Sequence, residues 1–250
     1  MNDFILDRSY RLGDQGGKVK LIQEWLCLQG FLVTIDGDFG PATDRAVRRF
    51  QRREKIAADG DGEVGNNTFT ALLRPAARAL SPIEGVRGVT GLGHLMVVFA
   101  NQHLGQHPRE VGGQNRGPWV RLYMDGNEGD VWAWCAGFVM MIMKQACASI
   151  GLPYPLEPSF SCDDLARRAE RAGLLIDELA AQKDGKLTPG SLFLVRRTAS
   201  DWTHVGIVTQ VADGAFDTIE GNTNDEGSRE GYEVCARTRG FKDKDFIVWS

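Results

Sequence analysis

The sequence predicts a small three-helix domain followed by an α+β domain with an antiparallel sheet. Three observations point there. A near-repeat, Asp36-Gly-Asp-Phe-Gly-Pro-Ala-Thr43 and then Asp61-Gly-Glu-Val-Gly-Asn-Asn-Thr68, sets two glycine turns 25 residues apart, each running into a short apolar helix. From Pro75 to Leu92 the chain is rich in proline, glycine and small residues, the composition of a linker. After it, helical periodicity comes first and strand-like apolar runs come second, the order of an α+β fold. The expected boundaries are 1–74 for the first domain, 75–92 for the linker and 93–250 for the second.

In the first domain Val19, Ile22 and Leu26 share one helical face, and Gly30 is a C-cap signal. Pro41 suits a first helical turn, and Asn66 or Asn67 can cap the third helix. Ala46, Val47 and Phe50 give the second helix its apolar side; Phe69, Leu72 and Leu73 do so for the third. In the second domain a helix is expected from about His94 to Leu104 and a long one from Trp134-Cys135 to Gly151. Another should cover Cys162 to Ala172, with Asp163 and Asp164 in its first turn. Strands are expected at Ser191–Val195, His204–Val211, Ala215–Gly221 and near Phe246–Trp249.

At 250 residues and a formal net charge of −4, the chain is too weakly charged to suggest nucleic acid or an anionic membrane as partner. Its start has no basic region followed by an apolar core, so a soluble product made in the cytoplasm without a signal peptide is expected. No apolar run approaches the ~20 residues of a membrane span. The five cysteines, Cys27, Cys135, Cys147, Cys162 and Cys235, are odd in number and form no CxxC pair, which argues against a disulfide framework or a zinc ribbon. One cysteine needs a chemical role; buried small hydrophobe suits the others.

Cys135 is the one that stands out. It falls at the expected N-terminus of the long helix, where free amides and the helix dipole favour a thiolate. His204 opens an otherwise apolar strand, and Glu220 and Asn222 lie on the next. A general base needs a partner that fixes its tautomer, and either residue can serve. All three have even numbers, so they share a face if the hairpin loop is odd. A three-residue loop Ala212-Asp-Gly214 pairs His204 with Asn222. A metal site is the weaker reading: His94, His103 and His107 are near one another, but Gly105 and Pro108 weaken a helix there and no HExxH occurs. Asp125 to Asp130 lacks the spacing of a calcium loop and reads as a polar turn. No cofactor is expected.

The first domain resembles the peptidoglycan-binding domain type 1 family, through Gly30, Asp36 to Thr43, Ala46-Val47-Arg-Arg-Phe50-Gln51 and Asp61 to Thr68, with Phe69 where that family often has Trp. That resemblance implies contact with cell-wall material through Asp36, Phe39 and Thr43. The second domain resembles the CHAP family of cysteine, histidine-dependent amidohydrolases and peptidases, relatives of NlpC/P60 and papain-like enzymes. The matching pieces are Glu110-Val-Gly-Gly113, Asn115-Arg-Gly-Pro118, Trp134-Cys-Ala-Gly-Phe138, Pro189-Gly190, His204-Val-Gly-Ile207 and Glu220-Gly-Asn222, with Ser191 where the family usually has Asp.

This resemblance implies a papain-like fold with Cys135 as nucleophile, His204 as base, Glu220 as orienting residue and Asn222 beside it. Trp134 and Trp202 are candidates to contact substrate, as are Trp119, Tyr123 and Trp132, although core packing is the plainer role for such aromatics; Asn115 is a candidate second oxyanion donor. The implied activity is hydrolysis of an amide or peptide bond in the peptidoglycan stem or cross-link, in the manner of a phage endolysin. A secreted antibacterial amidase and muramoyl-L-alanine amidase specificity are alternatives, and a wall-binding protein with an inactive enzyme domain is a distant one. Peptidoglycan is the expected partner, a holin or an immunity protein a conceivable one, and a monomer acting in the periplasm or outside the cell the expected form.

Overall fold

In the computed structural model, which describes residues 2–83, 91–183, 185–224 and 231–249, each copy of the Asp-Gly repeat becomes a turn held by one buried glutamine. Gln23 lies on helix α1 (Gly17–Leu28) and is 1% exposed. It accepts the amide of Gly37 at 2.8 Å and donates to the Asp38 carbonyl at 2.9 Å and the Thr43 hydroxyl at 3.2 Å. Gln51, on α2 (Pro41–Glu54), repeats the pattern with the Gly62 amide at 2.9 Å, the Glu63 carbonyl at 2.8 Å and the Thr68 hydroxyl at 3.1 Å. Both turns use a left-handed glycine, Gly37 at φ +76° and Gly62 at φ +81°. A buried turn must satisfy its polar backbone, and one amide side chain does so in each copy.

This arrangement corrects the expected wall contacts of the first domain. Phe39 is fully buried and Thr43 is 3% exposed, bonded within the turn. Asp36 is exposed, but its carboxylate accepts the Asp38 amide at 2.9 Å and the Gln23 side chain at 2.8 Å. These motif residues build the turn. Helix α3 (Asn66–Leu72) has Gly65 rather than an asparagine at its N-cap; its free amides are met by Asp59, which accepts from Thr68 at 2.6 Å.

Further along the chain lie α4 (Arg74–Leu80), α5 (Leu92–Leu104), α6 (Pro118–Tyr123), α7 (Cys135–Ile150), α8 (Cys162–Arg171), β1 (Leu175–Asp177), α9 (Glu178–Lys183), β2 (Leu192–Thr198), β3 (Asp201–Ala212), β4 (Ala215–Thr223), β5 (Glu233–Gly240) and β6 (Lys244–Ile247). The start of the expected linker is therefore helical, and its residues 84–90 lie outside the described residues. No helix among the described residues is long and apolar enough to cross a membrane. The chain divides into two units: Met1–Arg78 with Arg109–Val131, and Ala79–Pro108 with Trp132–Ser250.

The first unit thus recruits a segment that the sequence assigns to the second domain. Trp119 meets Trp25 edge-on at 5.8 Å and stacks on Tyr123 at 6.1 Å, so these two aromatics fill a core and line no groove. Arg121 reaches three carboxylates: Glu24 at 2.6 Å, Glu128 at 2.7 Å and Asp3 at 2.8 Å. Burial pushes the Glu24 carboxyl up and the guanidinium opposes it. Arg121→Ala leaves Glu24, 1% exposed, with only the longer 3.8 Å contact to Lys20 as counter-charge. The expected cost is about 3–5 kcal/mol of this unit's stability, measured by chemical denaturation; a cost under about 1 kcal/mol would show that the ion cluster holds nothing together.

In the second unit the strands form one sheet, ordered β1-β6-β2-β3-β4-β5, with every pairing antiparallel. The sheet curls strongly. Phe216 on β4 and Phe246 on β6 have ring centroids 5.2 Å apart, although three strand spacings in a flat sheet span ~14 Å. Phe193, Val208 and Phe241 complete this cluster. The β3–β4 hairpin corrects the expected loop. Ala212 pairs with Ala215, so the loop is the two residues Asp213 and Gly214. The register then shifts at Thr209, between Gln210↔Asp217 and Val208↔Thr218. One bulged residue restores the even phase that the longer loop was meant to supply.

Candidate active site

Helix α7 opens without a side-chain cap for its first amides among the described residues. Trp134 stands at the N-cap without a side-chain cap, and the first helical bond runs from Phe138 N–H to the Trp134 carbonyl at 2.9 Å. The amides of Cys135, Ala136 and Gly137 precede that bond and carry the positive end of the helix. The helix can approach β4 because residue 221 is glycine: a Cβ there would sit 2.5 Å from that of Phe138. Helix α8 begins at the same place. Its first residue, Cys162, brings its sulfur to 3.8 Å from the Cys135 sulfur, with both residues buried.

From β3, His204 hydrogen-bonds Glu220 and interacts electrostatically with the Cys135 thiol. The His204 Nε2 to Glu220 Oε2 distance is 2.9 Å. Glu220 is fully buried and fully bonded. Arg239 on β5 grips it with two contacts of 2.5 Å, and the Thr218 hydroxyl donates to it at 2.6 Å. Arg239 itself lies over the Phe193 ring at 5.3 Å. Gly206 makes room for this row: a Cβ there would meet the Phe193 ring at 2.6 Å and Glu220 Cγ at 2.8 Å.

The charges settle accordingly. The Cys135 thiol is held well below its ordinary value, first by the hydrogen bond from Cys162, against burial, and then by His204 and the Val205 amide. Cys162 is pushed well above its ordinary value by the same hydrogen bond and by burial, so it keeps its proton. Burial acts to lower the His204 pKa, but bonding to Cys135 and Glu220 outweighs it and raises the value to about 9. Burial acts likewise against a charged Glu220, and Arg239 and His204 hold it ionised far below the usual carboxylate range. These directions favour a thiolate, an imidazolium, a carboxylate and a guanidinium, an arrangement suited to attack on an acyl carbon and protonation of an amine.

The other candidates fall elsewhere. Asn222 is left-handed at φ 53°, and its Oδ1 is buried without a hydrogen-bond partner, so the ring's orienting oxygen is that of Glu220. Trp134 is fully buried, and Trp202, 8% exposed, donates from Nε1 to Asp245 at 2.8 Å; both serve packing where substrate contact was expected. Asn115 is 4% exposed, and its side-chain amide donates to the Asp130 carbonyl at 3.2 Å within the first unit, where an oxyanion role was the expectation. Trp132 lies in the second unit, partly exposed and ahead of α7. His103 is buried against Gln145 at 2.7 Å, with its pKa pushed down to about 4 by burial, and His107 pairs with Glu233 at 2.7 Å. Glu128, in the polar turn after Asp125, is taken by Arg121 and the Gly117 amide. Sequence reasoning missed Cys162, Thr218 and Arg239. Only Thr218 had a readable signal, two residues before Glu220 on the same strand face.

Residues 15–72 match the peptidoglycan binding domain family, and residues 124–222 match the CHAP domain family. No curated protein matches the chain. Among solved structures, a fused Zn-dependent amidase/peptidase/peptidoglycan-binding domain-containing protein from Clostridium acetobutylicum is 45% identical over 26% of this chain and 28% of its own, with a TM-score of 0.25. The SleB N-terminal domain is 30% identical over 28% of this chain and 94% of its own, with a TM-score of 0.26. The Burkholderia AP3 phage endolysin is 29% identical over 37% of this chain and 36% of its own, with a TM-score of 0.24. The chain spans about a quarter of the Clostridium protein and about a third of the endolysin.

Proposed function

We propose that this chain, whose residues 15–72 match the peptidoglycan binding domain family and residues 124–222 the CHAP domain family, is a peptidoglycan hydrolase that cuts an amide or peptide bond by cysteine catalysis, in the manner of an endolysin. The observation that carries this reading is the placement of His204 between a fully buried carboxylate at 2.9 Å and a thiol at a helix N-terminus.

The Cys135 thiolate attacks the carbonyl carbon of the scissile bond. The oxyanion is met by the free amides at the start of α7, the Cys135 N–H among them. His204 gives its proton to the departing amine, and the neutral imidazole then takes one from the water that hydrolyses the thioester. Glu220 stabilises each imidazolium as it forms. Substrate contacts in the first domain come from residues other than Phe39 and Thr43, which face its interior.

The test is digestion of purified sacculi with the full chain, followed by mass spectrometry of the soluble fragments. Release of intact stem peptides from muramic acid would identify an amidase; fragments cut within the stem or cross-link would identify a peptidase. The absence of any fragment would overturn the reading. Activity that vanishes in EDTA and returns with zinc would replace cysteine chemistry with metal chemistry.

A further inference from the structure

The mechanism needs one thiol at the mouth of α7, yet the fold delivers two. Cys135 and Cys162 are each the first residue of a helix, and those two helix starts converge so that the sulfurs lie 3.8 Å apart. Cys162 is not a spectator methyl-sized filler in a core layer: its sulfur is within hydrogen-bonding distance of the nucleophile's. A disulfide needs ~2.05 Å between sulfurs, so small side-chain rotations at two helix ends would bring the pair within bonding distance. The remaining cysteines, Cys27, Cys147 and Cys235, form no disulfide among the described residues. Among them Cys27 has its sulfur bonded to Val33, in the first unit.

We propose that Cys135 and Cys162 form a redox-active pair, a modification site that takes small-molecule disulfides as oxidant and closes the nucleophile into an intramolecular bond. The Cys135 thiolate attacks one sulfur of the small disulfide. That S–S bond breaks, and the first small thiolate leaves and takes a proton from solvent. Cys162 loses its proton and attacks the Cys135 sulfur of the mixed disulfide, expelling the second small thiolate. Two protein thiols are oxidised to one disulfide, and one small disulfide is reduced to two thiols. Cys135, whose thiol opens α7 and interacts with the imidazolium, is the attacking partner, and Cys162 is the resolving one. A thiol reductant runs the steps backwards and frees the nucleophile. Formed on the nucleophile itself, the bond acts as a regulatory disulfide rather than a structural one, and capture by Cys162 spares Cys135 from higher oxidation.

The loss of hydrolysis on oxidation rests on the function proposed above; the cross-link itself does not. The reduced full chain is incubated with oxidised glutathione, remaining thiols are alkylated, and the protein is digested without reductant for mass spectrometry. The expected product is a linked pair of peptides carrying Cys135 and Cys162, with wall hydrolysis lost in step with its formation and restored by dithiothreitol. In Cys162→Ser the same treatment should stop at a glutathione adduct on Cys135, and Cys162→Ala repeats the test should the serine variant fold poorly. Each variant is compared with its own untreated sample. Wild-type protein that ends as the glutathione adduct, or unmodified, overturns the proposal. A cross-link that forms in a chain with no hydrolytic activity would instead sink the function and leave the redox pair standing.

Discussion

Cys135→Ala is expected to reduce release of fragments from sacculi by on the order of 10⁴-fold or more, to the level of a no-enzyme control, because a nucleophile and its base act as a unit and little chemistry survives the loss of either. Folding should be spared. The side chain is small, alanine fits its space, and the helix it opens is anchored further along by Phe138, Val139, Ile142 and Met143, each fully buried. The structure makes this prediction sharper than a single substitution. Two thiols lie near one imidazole, and Cys162 also begins a helix. Cys162→Ala removes a hydrogen bond to the thiolate, so it should raise the Cys135 pKa and move the acid limb of the pH profile of kcat/KM to higher pH while leaving substantial activity at the optimum. Parallel measurement of both variants decides between the sulfurs. Full activity in Cys135→Ala together with none in Cys162→Ala would make Cys162 the nucleophile.

The legible parts of this site were those written in local chemistry. Cys135 could be placed because an apolar run, Phe138 to Ala146, fixes the helix and Gly151 ends it in a left-handed cap at φ 68°. His204 and Glu220 could be placed on neighbouring strands because alternation fixes the period. The phase came out as expected, yet by a different device: no sequence rule distinguishes a three-residue loop from a two-residue loop with a bulge at Thr209.

Strand β5 was not legible. Its residues Glu233-Val-Cys-Ala-Arg-Thr-Arg-Gly240 put two arginines on alternate positions, which reads as a solvated loop until the buried charge of Glu220 is known. Cys162 was read as filler because the approach of two helix starts is a tertiary fact. The packing of 109–131 with the first unit was not legible for a similar reason. Glu24 and Trp25, on a helix already supplied with an apolar face, gave no sign that Arg121 and Trp119 would come from 97 and 94 residues away to meet them. The buried aromatics Phe39, Trp134 and Trp202 show the remaining hazard: large rings near a motif are more often its foundation than its surface.

The sharpest test of the relay is a pair of substitutions that should move the alkaline limb of activity in opposite directions. In the proposed mechanism His204 is the acid toward the leaving amine, so kcat/KM should fall as the imidazolium loses its proton, near pH 9 in the native chain. Glu220→Gln keeps the shape and removes the counter-charge. The imidazolium then costs more, and the limb should fall by on the order of one pH unit, ~1.4 kcal/mol, while kcat/KM at neutral pH drops by about 10²–10⁴-fold. Arg239 grips that same carboxylate with two contacts of 2.5 Å and spends part of its charge. Arg239→Met should leave Glu220 ionised beside His204 but with only one cation to serve. The carboxylate then holds the imidazolium proton more tightly, and the limb should rise. Arg239→Lys should restore charge without the two-point grip and bring the limb back toward its native position while the rate stays reduced. Glu220→Gln also strands the Arg239 guanidinium, so some stability should be lost with the activity; thermal unfolding of each variant separates that loss from the pH shift. Limbs that move together in Glu220→Gln and Arg239→Met would mean that the guanidinium merely props up the fold. Opposite shifts would establish Arg239 as a positioning residue that tunes the catalytic histidine through the carboxylate between them.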